Sequence, residues 1–148
     1  MIYTFRRAGV EDVAVVTGYR AKETEKSLAK LGAVFLRCGD YENVQMLDLA
    51  VKGFRYLKNC GKIFSVRLTC PFTGEYVEMM LLQDVPVVIP VCGGRKGHPV
   101  LIDADLTDGI AEYQGEEGIK GGYRCIRGGD LSPSGGRRRC ACARAQRG

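Results

Sequence analysis

Two rhythms of apolar and polar residues alternate along the first hundred or so positions. Short β-branched and aliphatic runs at 12–17, 33–36, 62–68 and 85–91 read as buried strands. Between them lie stretches with helical spacing. Over 43–57, Val44, Leu47, Ala50, Val51, Phe54 and Leu57 share one face. Over 73–82 the apolar positions are Val77, Met80 and Leu81, and 105–113 reads as a further helix. Residues 21–30 are charged throughout, with Glu and Lys three or four apart, as on a solvated surface helix. Residues 1–8 read as the end of a helix stopped at Gly9, and 100–102 as a short strand.

Strands separated by helices of ten to fifteen residues predict an α/β fold: a Rossmann-like, doubly wound, mostly parallel sheet with helices on both faces. In such sheets ligands sit beyond the carboxyl ends of the strands. The loops after Thr17, Leu68 and Val91 are therefore expected on one rim. From Gly121 onward the periodicity fails, and Gly93-Gly94 and Gly121-Gly122 read as turn signals. Residues 1–122 are expected to form the domain, and 123–148 an Arg/Gly-rich, disordered tail.

Charge sharpens that division. The chain of 148 residues carries a formal +5. The tail holds seven Arg against Asp130, which leaves a small negative balance on the body. A nucleic-acid reading rests on the tail alone, and Tyr123 is its single aromatic residue for stacking, which weighs against it. Seven irregularly spaced Cys, with Cys140 and Cys142 the single close pair, read as reduced thiols and not as a disulfide or zinc framework. No apolar run approaches the roughly 20 residues of a membrane span. The N-terminus lacks the order of a signal peptide, so a cytoplasmic protein is expected.

The most specific stretch is 87–102, V-V-I-P-V-C-G-G-R-K-G-H-P-V-L-I. It resembles the MobA-like NTP transferases, the molybdenum cofactor cytidylyl- and guanylyltransferases, in which a strand ending I-P-V runs through a basic loop into G-H-P-V. Gly115-Glu116-Glu117-Gly118 resembles the following G-D-x-G turn. Ala8-Gly9-Val10 with Val15-Val16-Thr17-Gly18-Tyr19 resembles the family's second strand, and Asp40-Tyr41 with Met46 and Gly53 the segment around its long helix. The resemblance covers roughly residues 1–120. It marks Arg95, Lys96, Gly97, His98 and Pro99 as substrate-binding candidates. Arg95 and Lys96 at a strand's end suit phosphate. Gly97 permits close backbone approach. His98 suits a phosphate or pterin group, and Pro99 fixes the turn. The bland alternative is a solvated basic turn with a structural His.

The resemblance implies attack on an NTP α-phosphate with Mg²⁺, transferring CMP or GMP from CTP or GTP to a molybdopterin-type acceptor. Two implied parts are missing. The first strand with its Gly-rich loop, of the type L-A-A-G-x-S-x-R-M-G-x-x-K, would precede Met1. The metal-binding Asp of a P-V-D-x-P pattern falls where Arg67-Leu68-Thr69-Cys70-Pro71 stands, so Thr69 occupies its place. Cys38 and Leu49 stand where the family's Asn and Ser are expected. Coding DNA for 65–71 can also encode Cys-Pro-Val-Asp-Leu-Pro in another frame, and 131–139 permits a similar shift, so a frameshifted gene or a sequence error is one hypothesis for these departures. No catalytic residue is assigned. The expected protein is a truncated, inactive transferase-family domain. The alternatives are a non-catalytic interaction protein on the same fold, or anion or RNA binding through the Arg-rich tail.

Overall fold

The computed structural model describes residues 1–126 and the backbone of a strand at 139–144. The strands of the main sheet are β1 (Asp12–Thr17), β2 (Val34–Arg37), β3 (Lys62–Arg67), β4 (Val87–Val88), β7 (Val100–Asp103) and β8 (Arg139–Arg144), in the spatial order β2-β1-β8-β3-β7-β4. Pairing is parallel except along β7, which runs antiparallel to both β3 and β4. The helices are α1 (Ile2–Arg7), α2 (Ala21–Leu28), α3 (Met46–Tyr56), α4 (Gly74–Leu81), α5 (Thr107–Ala111) and α6 (Gly118–Ile126). A small separate hairpin joins β5 (Val91–Cys92) to β6 (Arg95–Lys96). The expected α/β architecture, mostly parallel and covered on both faces, is the one observed.

Alternation along β1 and β3 builds two cores. Val13, Val15, Phe64 and Val66 face α1 and α4, where Ile2, Phe5, Val77 and Met80 are buried. Phe5 lies between Phe64 and Phe72, at centroid separations of 5.2 and 4.9 Å. Ala14, Val16 and Ile63 face α3, α5 and α6, whose Leu47, Ala50, Phe54, Ile110, Tyr123 and Ile126 close the other side. α2 buries none of its residues, as its charged sequence requires. α3 starts at Met46 because Gln45 and Asp48 form a reciprocal capping box.

Four expectations need correction. The strand expected over 85–91 is broken: Pro86 and Pro90 cannot donate to a ladder, so β4 keeps two residues and the chain turns into the β5–β6 hairpin. Gly121 and Gly122 are not turn residues but lie inside α6. A Cβ on Gly121 would come within 2.1 Å of the Tyr113 hydroxyl oxygen, so a helix of poor intrinsic propensity forms because its missing side chains admit α5. The tail is not uniformly unstructured either: 123–126 complete α6 and 139–144 form β8, while 127–138 and 145–148 lie outside the described residues. β8 fills the central position that the expected loss of a first strand would leave open. The thiol reading also fails at one place, since Cys60 is disulfide-bonded. Cys38, Cys70, Cys92 and Cys125 are free.

Candidate functional site

Because β1, β3 and β4 run in the same direction, the loops after Thr17, Leu68 and Val91 leave the sheet at one rim, as the sequence suggests. Antiparallel β7 begins at that rim, directly after the cis His98–Pro99 bond. His98 is pinned against the end of β3. Its Nδ1 lies 3.4 Å from the Ser65 carbonyl oxygen, and the Cys70 thiol approaches the His98 carbonyl at 3.9 Å. A turn closed by Cys70 N–H donating to the Arg67 carbonyl at 3.1 Å carries Leu68 and Thr69 over the rim.

The five residues marked in the sequence separate into two groups. His98 and Pro99 sit at the rim beside β3. Arg95 and Lys96 stand exposed on β6, where their charges are open to solvent. Gly97 does not play the part expected of it. Its N–H donates to the Pro90 carbonyl at 2.8 Å, and an added Cβ would meet nothing closer than 3.9 Å. It closes the hairpin, and its amide is not presented to a ligand.

Arg67 was not marked by sequence reasoning. It ends β3 two residues before Thr69, and its Nε is buried with no hydrogen-bond partner among the described residues. A buried donor left unmade costs about 1–3 kcal/mol, which an incoming anionic oxygen would relieve. The signal available in the sequence was a cation closing a strand whose interior, Ile63 to Val66, is mostly apolar. On the same face, Ser65 is buried and its hydroxyl accepts from Tyr123 Oη of α6 at 2.8 Å.

A cavity of about 420 Å³ opens farther along the rim, beyond β1 and β2. It is lined by Gly18, Arg20, Arg37, Cys38 and Tyr41 among others. Gly18 is required there, since a Cβ would fall 2.5 Å from Tyr41 Cβ. Arg20 holds the left-handed conformation at φ 54° as it starts α2, a strain typical of functional turns. The wall is braced by Glu25, which accepts from Arg37 at 2.6 and 2.7 Å and from the Thr17 hydroxyl at 3.3 Å. Hydrogen bonding from Arg37 holds the Glu25 carboxyl below its usual range, and Glu25 in turn raises Arg37. A larger cleft, about 700 Å³, runs along α3 between Asn43, Lys52, Arg55 and Tyr113, away from His98.

The donors at the end of β3 do not fit Mg²⁺. Arg67 is cationic, Thr69 offers a neutral hydroxyl and Cys70 a soft thiol, whereas hard dications take carboxylate and carbonyl oxygens. No group of three His, Cys, Asp or Glu suited to a metal occurs among the described residues. The rim is instead suited to anions: Arg67 at its centre, with Arg95 and Lys96 on the adjoining hairpin. Among the described residues no helix is long and apolar enough to cross a membrane.

Comparison with known proteins agrees with this architecture. No curated protein matches the chain. The sequence profile of the MobA-like NTP transferase domain matches residues 1–131, and the chain belongs to that family.

Proposed function

We propose that this domain descends from enzymes that transfer CMP or GMP from CTP or GTP to a molybdopterin-type acceptor, and that in its present form it binds nucleotide or pterin phosphate at the rim without transferring it. Nucleotidyltransferase-family membership rests on the match over residues 1–131. The observation that carries the rest is the end of β3. Arg67 offers a buried Nε, unpartnered among the described residues, two positions before Thr69, where the family resemblance implies a carboxylate. Such a rim attracts phosphate directly and has poor ligands for the Mg²⁺ that neutralises charge during α-phosphate attack. Arg95, Lys96 and His98 are the further groups for phosphate or pterin, and a cytoplasmic setting accords with both substrates.

The test is titration of the purified chain with fluorescent CTP and GTP, in Mg²⁺ and again in EDTA, alongside a pyrophosphate-release assay with a pterin phosphate acceptor. Binding is expected to be equal in both buffers, with no pyrophosphate released. Arg67→Ala should weaken it about tenfold or more, the worth of one charge-assisted hydrogen bond. Mg²⁺-dependent pyrophosphate release would overturn the inactivity. Absence of binding to either nucleotide would favour a non-catalytic interaction protein on the same fold. The RNA-binding reading falls mainly on residues outside those described.

A further inference from the structure

The cleft of about 700 Å³ along α3 takes no part in the rim. One of its walls is a face of α3, on which Gln45, Asp48, Lys52 and Arg55 follow one another at helical spacing. Leu47 and Val51, each 8% exposed, form an apolar floor beside them. The opposite wall is the segment leaving α5, from Tyr113 to Gly115. Two glycines shape it. A Cβ on Gly115 or on Gly121 would fall 2.1 Å from the Tyr113 hydroxyl oxygen, so the ring lies back against its own loop and α6 and the cleft stays open.

Most polar groups in the cleft are already engaged. Asp48 Oδ2 accepts from the Gln45 N–H at 2.8 Å, Asn43 Nδ2 donates to Asp40 Oδ1 at 2.6 Å, and Lys52 Nζ donates to the Arg37 carbonyl. These bonds fix the α3 side. Arg55 and Gln114 differ, having no hydrogen-bond or ion-pair partner among the described residues. The single acid lining the cleft, Asp48, is held at the start of α3, roughly 10 Å along the helix from Arg55. The far end therefore carries uncompensated positive charge from Lys52 and Arg55. From Gln45 to Arg55 the wall runs roughly 15 Å, the span of about four or five extended residues.

We propose that this cleft docks a short, extended acidic peptide of a partner protein, with a Glu or Asp side chain on Arg55 and Lys52 and an apolar side chain on Leu47 and Val51. The sign of the free charge selects an acid, and the guanidinium fork suits a carboxylate. The length selects a peptide over a small anion, which would use the Arg55 end alone and leave the apolar floor wet. The Gln114 amide at the edge can pair with a peptide backbone. Asn43 holds Asp40 in the loop after β2, so a docked partner would touch the segment that carries Cys38 and Tyr41 to the rim cavity. This goes beyond the binding of nucleotide and does not rest on it.

The probe is a fluorescein-labelled Gly-Glu-Leu-Glu-Glu-Gly peptide, with a control in which Gln replaces every Glu. Binding to the full chain is read by anisotropy, and the contact surface by NMR shifts. The acidic peptide should bind, weaken as salt rises, and shift signals along α3 and at Tyr113 while those of Arg67 and His98 stay in place. The Gln control should bind about tenfold more weakly. Arg55 is exposed, so Arg55→Glu should fold as the natural chain does; it should weaken the acidic peptide about tenfold and favour a peptide with Lys in place of Glu. Arg67→Ala should leave peptide binding unchanged, which separates this site from the rim. Equal binding of the Gln control, loss with Arg67→Ala and not with Arg55→Glu, or no binding would overturn the proposal. So would displacement of the peptide by an equal concentration of inorganic phosphate, since the occupant would then be a free anion. Light scattering showing a dimer that the peptide dissociates would overturn it too, since the occupant would then be a second copy.

Discussion

Ser65 and Tyr123 meet across the sheet–helix boundary, both buried, at 2.8 Å. Tyr123→Phe removes the donor and leaves the Ser65 hydroxyl enclosed, so it should cost about 1–2 kcal/mol. Ser65→Ala made on top of Tyr123→Phe should cost less than it does alone, because the abandoned hydroxyl goes with it; urea unfolding of the four proteins measures the coupling. Gly121 poses the opposite problem. An added methyl gains roughly 1 kcal/mol of helix propensity but meets the Tyr113 ring at 2.1–2.5 Å. The clash should win, with net destabilisation of about 1–3 kcal/mol. Gly121→Ala combined with Tyr113→Ala should then lose much less than the sum of the two; additive losses would mean that the ring is not the obstacle.

Local signals decided which elements could be read in the chain and which could not. β1 has the bounds its β-branched run predicts, and α3 needed only its capping box to move the start to Met46. β4 was overestimated because apolarity was weighed above the two prolines within it. α6 and β8 were missed for a common reason: Gly-rich and Arg-, Cys- and Ala-rich stretches have no period, and tertiary packing alone orders them. The site was half legible. The family-like loop marks His98, but Arg67 becomes visible only when β3 ends at the rim with its Nε enclosed. One element pair has a pH signature. The Glu25 carboxyl is depressed in the folded chain by Arg37, so the unfolded chain binds its proton more tightly. Stability from this pair is therefore present above the ordinary carboxylate range and lost as pH falls through the lowered value. Glu25→Gln should flatten that part of the acid-unfolding curve by lowering stability at neutral pH, where the pair contributes, and leaving it unchanged at acid pH, where the contribution is already lost. An unchanged acid limb would show that the brace between α2 and β2 contributes nothing.

At the scale of the whole molecule, the two cores share their strands. β1 sends Val13 and Val15 to the face of α1 and α4, and Ala14 and Val16 to the face of α3, α5 and α6; β3 divides Phe64 and Ile63 in the same way. Neither core can lose its strands without the other losing them too. Unfolding should therefore be a single transition, with the Phe5 ring signals on one face and the Tyr123 ring signals on the other, both resolved by NMR, vanishing at the same urea concentration. Phe64→Ala removes a ring from one core only and should cost about 3–5 kcal/mol. If the sheet couples the faces, this change lowers the midpoint of both probes equally, although Tyr123 lies across the sheet from the cavity. Were Phe5 signals lost first while Tyr123 kept its original midpoint, the faces would be separate units. The sheet's centre, where β8 places a sequence of small residues between β1 and β3, would then be the plane along which they part.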